Sequence, residues 1–371
     1  MKFLLAPNAM KGALSARKIA AILSKTILRK YPDAEILSYP IADGGNGTLD
    51  CLMDALGGTV YEQEVSGPIH SMSVLARYGI TREKIAVIES AEAAGLHLLS
   101  PSPETIAQST TRGVGELITA AMNHECNRML IGLGGTATND GGAGMMRALG
   151  YALRDQHSVE LCDGSISLLQ LHSIVWDPRK NISCPVTILT DVQNLLLGSE
   201  GATAMFARQK GASEEQLPYL ELALKNFAEI VSRDLHCDFA NTPGSGAAGG
   251  LAFGLLSACS SEIVSGIEYI LDTVGFNDAL ASCDCVITTE GMLDEQTLSG
   301  KGIAGIAQRA RQQQKPVHVF AGRVHGDEQR LTSTLGLTSL TQISPADLST
   351  QQALRDASWL LADAVYHFQF Y

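Results

Sequence analysis

The sequence is poor in aromatic residues, which make up 5% of it, and its charged fraction of 18% lies below the ~25% of an average soluble domain. Positive charge is scarcer still: 27 lysines and arginines stand against 39 aspartates and glutamates, for a formal net charge of −12. A nucleic-acid binder needs a basic face for the phosphate backbone, so that task is excluded as the main one, although a local basic pocket for a small anion is not. No apolar run reaches the ~20 residues of a membrane-spanning helix. The best of them, Ala247 to Ala258, is short and full of Gly and Ala. The opening stretch Met1–Pro7 has too few apolar residues in a row for a signal peptide. The expected setting is the cytoplasm, with no membrane and no nucleic acid as partner.

Several motifs are missing as well. The eight cysteines form no CxxC pair, and even the closest two, Cys283 and Cys285, have no metal-ligand spacing. They read as small buried hydrophobes in a reducing compartment. The histidines form no HExxH. No GxxxxGK[ST] segment occurs, so the chain is not a P-loop enzyme, and without GxSxG a nucleophilic hydrolase is disfavoured.

What is present is apolar and glycine-rich. A hydrophobic fraction of 45% over 371 residues can bury a large core, and the length suggests two domains. The first sixty residues alternate. A strand at Phe3–Ala6 precedes a helix that Ser15 would cap, and a strand at Glu35–Tyr39 precedes a helix at about Thr48–Leu56. The same rhythm returns from Cys285 to the C-terminus. Neither end has enough strands to bury both faces of a sheet, so we expect one five-stranded, doubly wound, flavodoxin- or Rossmann-like α/β domain. It would comprise residues 1–60 and 284–371, interrupted by an inserted mixed α/β domain over 61–283. A small-molecule site is expected in the cleft between the two.

Five loops carry candidate chemistry. Lys11 follows the first strand, where an open parallel sheet binds anions. Asp43-Gly44-Gly45-Asn46-Gly47 follows the second, with a helix N-terminus behind it that favours negative charge. The run from Gly132 to Gly144 holds five glycines beyond Gly132 together with Thr136, Thr138 and Asn139, which suits a phosphate cradle. Asp191 ends an apolar strand, well placed to accept a proton or coordinate metal. Glu290 and Asp294 follow a buried strand and lead towards Ser299-Gly300-Lys301. Two further segments invite comparison with a dinucleotide fingerprint: Gly132-x-Gly134-x-x-Ala137, with Asp155 downstream, and the Gly244–Gly249 run.

In order along the chain, APNAMKGALSA, PIADGGNGT, GLGGTATNDGGAG, LTDVQNLLLG, GATAMFARQKGA, PGSGAAGG and ITTEGMLDEQTLSGK resemble the two-domain bacterial glycerate kinase family, the form without a Walker motif. The resemblance implies Mg²⁺- and ATP-dependent phosphorylation of glycerate, with the 2-hydroxyl as the usual acceptor. The chain departs from the family's pattern at Asn8, commonly aspartate, at Thr289, commonly glycine, and at Met292, commonly arginine. Under this reading the phosphates lie on Gly134, Gly135 and Thr136, with Thr138, Asn139, Gly141 and Gly142 assisting. Lys11 offsets charge on the transferred group or holds the glycerate carboxylate, beside Asp43, Gly44, Gly45, Asn46 and Glu290. Asp191 is the general base, and Asp43, Glu290 and Asp294 are the candidates for Mg²⁺. The partners are then ATP and glycerate, for a monomer or homodimer. Two alternatives remain open on sequence grounds: an NAD-dependent hydroxy-acid dehydrogenase, and a glycerate- or nucleotide-sensing module without turnover.

Overall fold

A computed structural model describes residues 1–177, 182–294 and 302–370. Among them β1 (Lys2–Leu5) and β2 (Glu35–Ser38) open the chain. There follow β3 (Gly58–Ser66), β4 (Ser73–Thr81), β5 (Ile85–Glu89), β6 (Arg128–Gly132), β7 (Ala152–Arg154), β8 (Ser173–Val175), β9 (Val186–Leu189) and β10 (Ser261–Val264). The last three are β11 (Cys285–Leu293), β12 (Val317–Val324) and β13 (Ser339–Gln342). The chain divides into two compact units, the first made of residues 1–43 and 267–371, the second of residues 44–266.

The first unit holds the expected interrupted sheet. Its five strands are all parallel, in the order β13-β12-β11-β1-β2. Side chains alternate between faces along a strand and both faces are covered, which explains why Phe3, Leu4 and Leu5 of β1 are all apolar. Leu4 and Val286 enter one core with Ile303, Ile306, Phe276 and Leu280. Phe3, Leu5, Cys285 and Ile287 enter another with Ile19, Leu23, Leu360 and Leu361. Ser15 caps the first helix, Ala16–Lys30, by accepting the Lys18 N–H at 3.3 Å.

The second unit has a six-stranded mixed sheet, β10-β9-β6-β5-β4-β3, in which β5, β6, β9 and β10 run parallel and β3 and β4 are antiparallel. The helix Thr48–Leu56, which strand rhythm alone grouped with the first sheet, packs on β4 and β5, with Met53 lying against Gly79. From the helix Gly266–Thr273, Ile267 and Leu271 join the core of the first unit. Apolar faces assign both helices to their units, and strand order does not reveal this.

Candidate active site

In each unit the chemistry-bearing residues collect at the carboxyl ends of parallel strands. In the first unit Leu5 of β1 is level with Ile287 of β11. Three residues further on, Asn8 is therefore level with Glu290. Its side-chain amide donates to a Glu290 carboxylate oxygen at 3.1 Å. The hydroxyls of Thr288 and Thr289 reach back to the Ala6 and Asn8 carbonyls at 2.7 and 2.8 Å, fixing the loop on β11. The Thr289 and Asn8 departures are thus linked: one holds the backbone of the other, and Asn8 offers Glu290 a donor where an aspartate would offer a second negative charge. Met292 is half exposed on the same strand.

Glu290 is the electrostatic centre of this edge. Burial pushes its carboxyl up to about 7, and the charge of Asp43 adds to the rise. Lys11, the Asn8 amide and the Gly291 N–H oppose it. Lys11 and Asp43, named from the sequence with Glu290, thus both act on it. Asp294 follows the last residue of β11. Among the described residues no three His, Cys, Asp or Glu side chains converge as an all-protein metal cage. The Asp43–Glu290 pair, whose mutual repulsion a cation would relieve, does suit Mg²⁺, which commonly takes one or two carboxylates and completes its shell with water and phosphate oxygens. Ser299, Gly300 and Lys301 lie outside the described residues.

The second unit presents Glu89, Gly132 and Leu189 in one row of register at the carboxyl ends of β5, β6 and β9. Its two glycine loops differ from the sequence expectation in one respect. Both helix N-termini behind them already hold a carboxylate. Glu89 accepts the N–H groups of Gly47 and Leu49 at 3.0 and 3.2 Å and so caps the helix Thr48–Leu56. Asp140 accepts from Gly142 and Gly144, at the start of the helix Ala143–Ala148, and also takes the Thr111 N–H and hydroxyl. A phosphate cannot use the ends that these side chains fill. Burial pushes the Glu89 carboxyl up to about 7. The same cause raises Asp140, against the pull of its four donors.

Most of the loop glycines are there for packing. A side chain on Gly134 would strike the Gly45 backbone, one on Gly132 the Gly44 carbonyl, and one on Gly44 the Leu189 carbonyl. Gly141 fits under Phe227, and Gly142 against Gly254. The loops 44–47 and 132–135 are thus brought together, Asn46 lying over Gly135. Thr138 and Asn139 have no exposed surface. The part a ligand can reach is shorter than expected: Gly134 and Gly135 are partly or fully exposed, with Thr136 at their end. The Gly135 carbonyl accepts the Leu96 N–H at 2.7 Å. In a trans peptide this turns the Thr136 N–H the opposite way, and among the described residues no protein acceptor meets it.

Asp191 follows β9 and accepts the hydroxyl of Ser265, the residue after β10, at 2.7 Å. Sequence reasoning missed Ser265. It also gave no role to Lys210, which is 4% exposed and donates to the Thr138 carbonyl at 2.7 Å. Burial lowers this amine to about 7, with Asp140 opposing the fall. Its signal was in the sequence: a lysine set among small residues in Gln209-Lys210-Gly211-Ala212, a residue type almost never buried without a partner. The dinucleotide fingerprint has no counterpart here. Asp155 closes a surface turn by accepting the His157 and Val159 N–H groups, and Gly244, Gly246 and Gly249 admit neighbouring backbone. Among the described residues no helix is long and apolar enough to cross a membrane.

Comparison with known proteins shows the family. The model of the Glycerate kinase family matches residues 3–369. Glycerate kinase from Bacillus subtilis (strain 168) is 39% identical over 363 residues, covering 96% of this chain and 94% of its own. Glycerate 2-kinase from Escherichia coli (strain K12) is 39% identical over 331 residues, 88% of this chain and 86% of its own. A crystal structure from Salmonella typhimurium LT2, provisionally assigned as glycerate kinase 2, superposes with a TM-score of 0.78 at 36% identity, covering 99% of this chain and 96% of that one. A family match over nearly the whole sequence, with the expected parallel sheet beneath it, leads to one conclusion: the chain belongs to the glycerate kinase family.

Proposed function

We propose that this protein transfers the γ-phosphoryl group of ATP to glycerate, with the 2-hydroxyl as acceptor, in the presence of Mg²⁺. The observation that carries the proposal is the similarity to glycerate kinases across the full length of the chain. The charge pattern at the two strand edges supports it. Phosphoryl transfer needs alignment, charge neutralisation and a proton acceptor rather than a protein nucleophile. Asp191, held by Ser265, is the proposed base. The attacking oxygen of glycerate bonds to the γ-phosphorus as the bond to the ADP oxygen breaks, and the hydroxyl proton passes to an Asp191 carboxylate oxygen. The N–H groups of Gly134, Gly135 and Thr136 are the proposed phosphate donors.

Lys11 is proposed to hold the glycerate carboxylate or a phosphoryl oxygen, and Asp43 with Glu290 to hold the cation. When bound, Mg²⁺ would neutralise phosphate charge. A cation there favours ionised Glu290, whose own surroundings hold it near half protonation at neutral pH. The cytoplasm is the proposed location, as monomer or homodimer. The test is incubation with ATP, Mg²⁺ and D-glycerate followed by ³¹P NMR. The expected product is 2-phosphoglycerate. Formation of 3-phosphoglycerate would overturn the acceptor assignment, and no consumption of ATP with any hydroxy acid would overturn the activity.

A further inference from the structure

Lys210 has no place among the roles above, yet it is the one buried lysine among the described residues. It ends the short turn Arg208–Lys210, which follows the helix Ala202–Phe206. Its ammonium donates to the Thr138 carbonyl at 2.7 Å and lies 3.5 Å from the Thr136 hydroxyl. From the same helix, the Thr203 hydroxyl accepts the side-chain amide of Asn139 at 3.2 Å. One short stretch of chain, residues 203–210, therefore holds three positions of the loop behind Gly134 and Gly135. The opposite side of that loop is fixed by backbone. Leu96 donates to the Gly135 carbonyl, and Ala137 donates to the Ala94 carbonyl at 2.8 Å. The Thr136 peptide is clamped between these two sets, with its N–H turned away from the protein acceptors.

We propose that Lys210 is a positioning residue for the nucleotide: by holding the Thr136 and Thr138 side of the loop it keeps the Gly134, Gly135 and Thr136 N–H groups presented to the phosphates of ATP. The inference rests on the proposed role of those amides and adds the residue that sets them. Lys210 contacts Thr138 and Thr136 of the loop, so its removal acts through them.

The test is Lys210→Met beside Lys210→Arg, in the full chain. We expect Lys210→Met to raise KM for ATP about ten- to a hundredfold, the scale of a buried carbonyl left without its donor. KM for glycerate should stay within about twofold and kcat within about threefold. Lys210→Arg, which restores a donor, should recover most of the ATP affinity. A fall in kcat with both KM values unchanged marks a merely structural residue and overturns the inference. So does an unchanged KM for ATP. Should Lys210→Met fail to fold, Lys210→Leu also removes the donor and carries the same expectation.

Amide hydrogen exchange separates this inference from the reading beneath it. In the native protein, ADP with Mg²⁺ should slow exchange at Gly134, Gly135 and Thr136, and in Lys210→Met this protection should be lost. No protection in the native protein defeats the phosphate assignment, and the inference with it. Protection that survives the substitution defeats the inference alone.

Discussion

Glu89 and Glu290 occupy comparable places, one at the carboxyl end of β5 and the other near that of β11, and burial brings both carboxyls to about 7. Their partners differ. Glu89 is 4% exposed and spends one oxygen on two backbone N–H groups, with Arg77 taking the neighbouring Glu92 and Asp50. Glu290 faces side chains: an amide, a lysine and a second carboxylate. A shifted carboxyl is therefore no sign of chemistry in itself. What separates the two is whether the charge is consumed by the fold or left for something smaller to neutralise. The same division runs through both edges, for that of the second unit is packed backbone against backbone while that of the first is lined by side chains.

Asp191 is the exception in the second unit, since its partner is a hydroxyl. Replacing it with Asn should lower kcat by ~10²–10⁴-fold, the usual worth of a general base, with the circular dichroism spectrum unchanged. A fall below about tenfold removes Asp191 from that role. The packed edge itself breaks sterically. A Cβ on Gly134 would lie 2.6 Å from the Gly45 Cα, whereas one on Gly291 meets nothing nearer than the Lys11 nitrogen at 3.3 Å. Gly134→Ala should cost about 1–3 kcal/mol and Gly291→Ala clearly less, read as the drop in Tm of each. Equal drops would erase the contrast between the edges.

Glu290 gives a smaller effect with a definite sign. Its raised pKa means that it ionises as pH climbs through about 7, so a cation-holding role predicts kcat/KM rising over that range and levelling above it. Glu290→Gln should lower kcat/KM by about tenfold at pH 8 and abolish that rise. If the rise persists in the variant, it belongs to another group.

How much of this was legible in the sequence depends on how far apart the partners lie. The apolar run Phe3-Leu4-Leu5, the Ser15 cap and Asp191 at a strand end are local patterns, and each is found as read. Glu89 looked only like the end of a strand, because the N–H groups it accepts lie some forty residues earlier. Ser265 and Lys210 act across similar or longer separations. The glycines were legible as a cluster but ambiguous in purpose. A glycine that bares its N–H to phosphate and one that admits another backbone have the same letter, and here Gly134, whose N–H is proposed for phosphate, also admits the Gly45 backbone.

The smallest effect distinguishes the two glutamates most directly. A carboxyl whose folded pKa is raised from 4.5 to about 7 favours the folded state while protonated, and that advantage is lost as pH rises between the two values. Glu89→Gln does not titrate, and a single amide oxygen can still accept from both Gly47 and Leu49, because one carboxylate oxygen does so in the native chain. Between pH 4.5 and 7 the variant should therefore gain a few degrees of Tm on the native protein, with the gap constant above pH 7. Activity should not follow, since this charge serves only the helix end. Parallel melting curves across that range would mean that Glu89 is not held neutral by its burial, and a loss of kcat in a folded variant would place it among the reacting groups beside Glu290.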